Sequence, residues 1–349
     1  MRMGVIGPTL NTYYGIDEIA KHHEIKALFT LPPELGLKKA RYTLFEDQAE
    51  KYDFDIFYDE HRLNDDKVIK KFKSLNLDLI VELGSSKIIP FGVIESSRYG
   101  CIGSHGARLP YVKGGASMNW AIINGETEWG VSIYYLNYNV DEGRCIETMD
   151  FDIDNRDDIN TVHNKSDLVT AKMLGNFLSN FRPMGEFKDF KLETIKLNPS
   201  PKGYDWKNIV EWNKEIKRQY RIFKKSGKAI FLPQRKPQDG FIDWSSSSTE
   251  IYNFIRAQTA PHFQSAFTIY NGKKLFILEA DVEHKYVAKN EDKPGKIVSF
   301  SNKGDDLLVN TGTSGLIVKK VRYEGFPEMW AKDLYYELEK MKLGDCFGE

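Results

Sequence analysis

Residues 101–146 read CIGSHGARLPYVKGGASMNWAIINGETEWGVSIYYLNYNVDEGRCI. An apolar run ends here in Gly103-Ser104-His105-Gly106, a glycine-bearing turn ahead of Leu109-Pro110. After a helix-like stretch, an alternating strand-like segment through Val131–Tyr135 leads to Asp141 in Val-Asp-Glu-Gly. A histidine on one loop and an aspartate on another, each at the end of a strand, can converge at the open edge of a sheet. The carboxylate then orients the imidazole, and the imidazole acts as a general base. Glycines on both sides of His105 let backbone and ligand approach closely, which a merely buried histidine does not need.

Outward from this block, the first half alternates strands and helices. Met3–Gly7, Ile25–Thr30 and Ile56–Tyr58 read as strands; Ile16–His23, Leu44–Tyr52 and Asp65–Leu75 read as helices. Leu77–Leu83 is a mostly apolar run between Asn76 and Gly84, which suits a buried parallel strand. The alternation predicts a doubly wound, Rossmann-like α/β domain with ligands at the carboxyl ends of its strands. An amphipathic helix over Leu168–Phe181, opened by Asn164–Asp167, closes it. The break at Asn198–Gly203 and the aromatic, basic helix Trp206–Phe223 precede a strand-rich region. There Asn271-Gly272 signals a hairpin, and short strands recur at Lys296–Val298, Leu307–Val309 and Leu316–Val318, which predicts a small, OB-like β-barrel. Ser248 or Thr249 is expected to cap the helix carrying Ile251, Phe254 and Ile255. The division expected is 1–195, a basic linker over 196–228, and 229–349.

A chain of 349 residues is long enough for two domains and a sizeable core. Three cysteines without CxxC spacing argue against a disulfide framework or a zinc site and for a reducing, cytoplasmic setting. The N-terminus lacks a signal-peptide core, and no apolar run is long enough to span a membrane. Net charge is near zero, with an excess of bases concentrated between Lys214 and Lys236. Such a stripe is either a nucleic-acid footprint or a solvated helix face. His22, His23 and His163 are expected at the surface. Trp120, Trp129, Tyr134 and Tyr135 are expected in the core or at an interface. The loop Gly4–Gly15 is no dinucleotide fingerprint. Its Thr9, Asn11, Tyr13 and Tyr14 either contact a nucleotide or sugar or pack as an ordinary loop.

The 101–146 block resembles the 10-formyltetrahydrofolate-dependent formyltransferases. The matching residues are His105, Leu109-Pro110, Lys113-Gly114, Ala121-Ile122, Gly125, Gly130-Val131, Asp141 and Gly143. The similarity extends to Leu79–Pro90 and, in the second half, to Phe231–Ala257 and the region after Gly295, where the chain is similar to the C-terminal domain of methionyl-tRNA formyltransferase. It is weakest before residue 60 and across 196–230. The resemblance implies that His105 and Asp141 are catalytic. It further implies that Leu83, Lys87, Ile88, Ile89, Asn137 and Val140 hold the folate, and that Gly103, Ser104, Lys113 and Gly114 line the acceptor side with Thr9, Asn11 and Tyr13. No metal is implied, because the formyl donor is already activated.

One position departs from the family pattern. Where relatives carry an asparagine that helps stabilise the tetrahedral intermediate, this chain has Gly103. Loss of one such donor typically costs about 10²–10³ in rate. Three outcomes follow: a water with backbone N–H groups completes the site; Ser104, Asn119 or Asn124 substitutes; or the protein binds folate or a sugar nucleotide without catalysis. An extended backbone turns Ser104 away from the face of residue 103. The acceptor implied first is a nucleotide-linked amino sugar, and the alternative is methionyl-tRNA.

Overall fold

The computed structural model describes residues 1–85, 87–183, 192–203, 205–259, 261, 263, 265–287, 292–300, 306–337 and 341–348. In the first half the elements are β1 (Arg2–Ile6), α1 (Leu10–Ala20), β2 (Glu24–Phe29), α2 (Pro33–Gly36), α3 (Glu46–Tyr52), β3 (Asp55–Phe57), α4 (Asp66–Ser74), β4 (Leu79–Glu82) and α5 (Phe91–Ile94). They continue with β5 (Cys101–His105), β6 (Val112–Gly114), α6 (Ser117–Ile123), β7 (Glu128–Tyr135), β8 (Cys145–Asp152) and α7 (Ile159–Ser179). A seven-stranded sheet runs in the order β3-β2-β1-β4-β5-β7-β8. The first five are parallel, whereas β7 and β8 run antiparallel, so the sheet is mixed. A short loop joins β7 to β8, and short connections make antiparallel neighbours.

The apolar runs of β1 and β4 are explained by burial on both faces. Met3, Val5, Leu79 and Val81 pack with Ile16 and Ile19 of α1 and Leu174 and Leu178 of α7. Ile6 and Ile80 pack on the other face with Val68 and Phe72 of α4 and Val93 and Ile94 of α5. This is the period-two alternation of a strand serving two cores.

Three helix starts differ from the sequence reading. Helix α1 begins at Leu10, within the stretch read as a loop. Its Thr, Tyr and Gly residues are poor helix formers, and packing overrides them: a Cβ at Gly15 would lie 2.1 Å from Leu83 Cδ1. Helix α7 starts at Ile159, capped by Asp158, which accepts from the Thr161 N–H at 2.9 Å. In the second half, Ser247 rather than Ser248 or Thr249 caps its helix, accepting from the Glu250 N–H at 3.3 Å while Glu250 accepts from the Ser247 N–H at 3.2 Å.

The second half comprises β9 (Thr194–Lys196), α8 (Trp206–Ser226), β10 (Ala229–Leu232), α9 (Ser248–Arg256), β11 (Phe267–Tyr270), β12 (Lys273–Glu283), β13 (Ile297–Phe300), β14 (Leu307–Asn310), β15 (Gly315–Tyr323), β16 (Glu328–Trp330) and α10 (Ala331–Glu337). Strands β11-β12-β15-β14-β13 form an antiparallel ladder with β16 on β15. It is a half-barrel: among the described residues no ladder joins β11 to β13. Asn271 (φ 49°) and Gly272 (φ 72°) make the two-residue hairpin turn between β11 and β12. Helix α8 buries Ile209, Trp212, Ile216 and Tyr220.

The halves share one apolar core, in which Trp120 of α6 packs with Trp212, Ile251 and Phe254. Their seam is also stitched by backbone: β9 and β10 form a parallel three-stranded sheet with β6 of the first half. Among the described residues no helix is long and apolar enough to cross a membrane.

Candidate active site

Strand order places the site. The chain lays β2 and β3 on one side of β1 and β4 and β5 on the other, so a crevice opens beyond the carboxyl ends of β1, β4 and β5. It holds a cleft of about 790 Å³ that takes Thr9 and Asn11 after β1, Glu82, Gly84, Ser85 and Lys87–Ile89 at and after β4, and Ser104 and His105 at the end of β5. Its outer wall comes from the second half, including Leu197, Phe231, Gln234 and Lys236. Ile88, Tyr138 and Val140 are 71%, 73% and 45% exposed and all face this cleft. Large apolar side chains left open along the cleft form a slot that a flat, partly apolar ring would cover.

His105 is the last residue of β5 and is 9% exposed. Its Nδ1 lies 3.4 Å from Asp141 Oδ1, and its Nε2 lies 3.1 Å from the Val112 carbonyl oxygen. Both ring nitrogens therefore face acceptors, and a neutral imidazole can donate to just one. Asp141 does not come from a neighbouring strand end, because β7 runs back along β5 and finishes near its start. The loop between β7 and β8 folds over the sheet and delivers Asp141 from a left-handed backbone (φ 57°), a conformation Asp tolerates better than most residues. There Oδ2 accepts from the Gly114 N–H at 2.8 Å, and Oδ1 accepts from the Tyr134 hydroxyl at 3.3 Å. Two donors thus fix the carboxylate that orients the ring. Burial, with Asp141 and Glu82 alongside, drives the Tyr134 hydroxyl well above its usual range, so it stays a donor.

The cleft holds further groups: Glu82, which the resemblance places with Leu83 in the folate-contacting segment, and Lys39, Arg41 and Asp167, which sequence did not single out as site residues. Glu82, at the end of β4, is 7% exposed, and Oε1 accepts from the Ser85 N–H at 2.7 Å. Burial pushes its carboxyl up to about 8, against the lowering pull of the Ser85 N–H and Lys39, while Glu60 and Asp141 push further upward. Lys39 lines the same cleft, and burial lowers its ammonium. Arg41 reaches Asp167 at 2.5 Å and Asn164 at 2.9 Å; both Arg41 and Asp167 are nearly fully buried, and burial pushes the Asp167 carboxyl up to about 6. His163, expected at the surface, is half-buried, lines the cleft and stacks on Phe263 at 5.3 Å.

Of the expected site residues, His105, Asp141, Lys87, Ile88, Ile89, Asn137, Val140, Thr9, Asn11, Ser104 and Gly114 line the cleft. Leu83, Gly103, Lys113 and Tyr13 do not. Leu83 is wholly buried in the core beside α1 and α7. The Tyr13 hydroxyl donates to Asp47 at 2.5 Å, and Lys113 pairs with Glu142 at 3.3 Å. Of the three residues expected to substitute at 103, Asn119 donates to the Ala257 carbonyl at 2.7 Å and Asn124 to the Trp120 carbonyl at 2.8 Å, both outside the cleft. Ser104 accepts from the Asn11 side chain at 3.0 Å. Among the described residues no three His, Cys, Asp or Glu side chains cluster as metal ligands would.

Residues 18–177 match the family model described as formyl transferase, and residues 235–338 match that of the formyl transferase C-terminal domain. A methionyl-tRNA formyltransferase of Fusobacterium nucleatum is 30% identical over 321 residues, covering 91% of this chain and 91% of its own. One from Alkaliphilus oremlandii is 27% identical over 329 residues, covering 94% and 93%. Among solved structures, an N-formyltransferase of Helicobacter canadensis, in complex with folinic acid and dTDP-3-aminofucose, superposes with a TM-score of 0.55 at 14% identity, covering 90% of this chain and 98% of that one. Methionyl-tRNA formyltransferase from Clostridium thermocellum does so at 0.53 and 18%, covering 82% and 95%. At these identities the structural matches speak for the fold.

Proposed function

Because the chain belongs to the formyl transferase family, we propose that it moves the formyl group of 10-formyltetrahydrofolate to a primary amine, with His105 and Asp141 at the reacting centre. The observation carrying this reading is the pair itself: a buried imidazole beside a carboxylate that two donors fix in place, lining a cleft with exposed apolar side chains. The slot of Ile88, Val140 and Tyr138 fits the pterin and aromatic rings of a folate, and Lys87 at its rim fits an anionic tail. In the reaction, His105 takes a proton from the attacking amine and returns it to the departing N10 nitrogen. Asp141 sets the ring's orientation and stabilises its charged form. A donor activated at N10 asks no metal of the protein.

For the acceptor, the curated relatives favour methionyl-tRNA over the amino sugar expected from sequence, since methionyl-tRNA formyltransferases match over nine-tenths of the chain. One observation favours the nucleotide-linked amino sugar as a second reading. Most of the basic stripe is already matched by acids: Lys214 with Asp243, Lys217 and Arg221 with Glu250, Arg218 with Glu215, Lys224 with Glu126, and Lys228 with Glu193. Such surface pairs exchange readily, so they mute a nucleic-acid footprint without abolishing it.

The test offers the protein 10-formyltetrahydrofolate with initiator methionyl-tRNA or with dTDP-linked 3- and 4-amino sugars, reading product by mass spectrometry. Formylated methionyl-tRNA, with binding that weakens steeply as salt rises, supports the first reading; a formamido sugar supports the second. Folate binding without product on any acceptor would leave a binding protein and refute catalysis.

A further inference from the structure

Resting on the formyl-transfer reading, we propose that the Glu82 carboxyl is a catalytic group of this site, donating a hydrogen bond to the formyl oxygen as that oxygen gains charge. The geometry begins with strand register. Glu82 of β4 pairs with Gly103 of β5, and Gly103 pairs in turn with Tyr134 of β7. Residues paired across neighbouring strands, and residues two apart in one strand, share a face of the sheet. Glu82, position 103, His105 and Tyr134 therefore present to the same side. A Cβ built on Gly103 would lie 2.9 Å from Glu82 Oε2. The carboxyl thus occupies the volume a side chain at 103 would need, and the glycine is what makes room for it.

The two oxygens of Glu82 are differently employed. Oε1 is held by the Ser85 N–H. Oε2 has no hydrogen-bond partner among the described residues, and Glu82 lines the cleft together with His105 and Asp141. A fixed carboxyl with one oxygen free, in the cleft that His105 and Asp141 also line, is useful to an oxyanion only while it keeps its proton. The surroundings favour that form. Glu60, Asp141 and burial oppose ionisation; Lys39 and the Ser85 N–H favour it; Cys101 and Tyr134, also near, remain neutral. The balance holds the carboxyl up to about 8.

The step balances without a further reactant. The amine nitrogen bonds to the formyl carbon, and the C=O π pair moves to oxygen, where the Glu82 O–H meets it. His105 takes the amine proton. The oxygen pair then re-forms C=O, the bond to N10 breaks, and N10 leaves with that pair and receives the proton from His105. Glu82 ends with the proton it began with.

The test measures kcat, KM and folate dissociation for the parent, Glu82→Gln and Glu82→Val, each across pH. Glutamine keeps an N–H donor in place, so its kcat is expected within about tenfold of the parent, without the alkaline limb. Valine has no donor, so kcat is expected to fall about 10²–10³-fold with folate dissociation unchanged. In the parent, kcat is expected to decline as pH rises through about 8, where Glu82 loses its proton. An infrared carboxylic-acid band present at neutral pH and missing from Glu82→Gln reads the proton directly, whether or not Glu82→Val folds. Parent-like kcat in Glu82→Val, equal damage in both variants with weakened folate binding, or no such band at neutral pH would each overturn the proposal. A parent silent on every acceptor would overturn the formyl-transfer reading and this proposal with it.

Discussion

Gly103→Asn would restore the residue that the family pattern places there, and the structure says that this chain will not accept it. Its Cβ would sit 2.6 Å from Leu136 Cδ1 and 2.9 Å from Glu82 Oε2, both inside ordinary contact. Leu136 is a flexible side-chain end and can yield. Glu82 is tied to the Ser85 N–H at 2.7 Å and yields only by losing that bond. Overpacking of this kind costs about 1–3 kcal/mol, and the lost hydrogen bond adds about 1 kcal/mol. The sum, about 2–4 kcal/mol, would lower the thermal midpoint by roughly 3–5 °C for a chain of this size. Differential scanning calorimetry reads the single variant, Glu82→Val, and the double variant as a cycle. Removing the carboxyl first takes away one of the two clashes, so the double variant is expected to be more stable than the summed singles by about 1–2 kcal/mol. A Gly103→Asn protein as stable as the parent, additive with Glu82→Val, would refute the argument that the two positions compete for one volume.

Other outcomes follow from the same geometry. Asp141→Asn keeps the shape but not the charge that orients His105, so kcat is expected to fall about 10²–10⁴-fold, with folate affinity by equilibrium fluorescence nearly unchanged. Arg41→Ala strands the buried Asp167, and the loss at neutral pH is expected to reach about 3–5 kcal/mol. That loss should shrink below about pH 5, where Asp167, already pushed up to about 6 by burial, takes a proton and no longer needs its cation. Thermal midpoints at both pH values check the sign, and a larger loss in acid would contradict it.

Much of this was legible before any coordinates. The apolar runs of β1 and β4 and the Asn271-Gly272 hairpin depend on local chemistry that sequence displays directly, whereas His105 and Asp141 meet as expected but through a loop rather than through two strand ends. The start of α1 was not legible, because its residues favour other conformations and the helix is held by contact with Leu83. Asn119 and Asn124 looked like substitutes by sequence proximity. Their helix presents them instead to Ala257 and to its own backbone, which a linear reading does not show. Glu82 and Lys39 enter the site from distant positions, and only the order of strands β2-β1-β4-β5 brings them beside His105. His163 stood out to sequence as a histidine without an acidic neighbour, yet its cleft is assembled by the second half of the chain.

The short strand β6 has a consequence for how this protein can be altered by recombination. His105 leans on the Val112 carbonyl and Asp141 on the Gly114 N–H, while β10 zips along the same strand through Ile230, Phe231 and Leu232. The His105–Asp141 pair is therefore braced on a segment whose other edge belongs to the later half. A crossover at the proline-rich stretch 198–203, the natural joint by composition, would give β6 a foreign neighbour and shift both side chains of the pair. A chimera that keeps the parent's turnover has to inherit 229–234 together with 101–146. Acceptor choice and chemical competence are thus not separately inherited parts here, and new substrates are reached by substitution within the cleft rather than by exchange of whole modules.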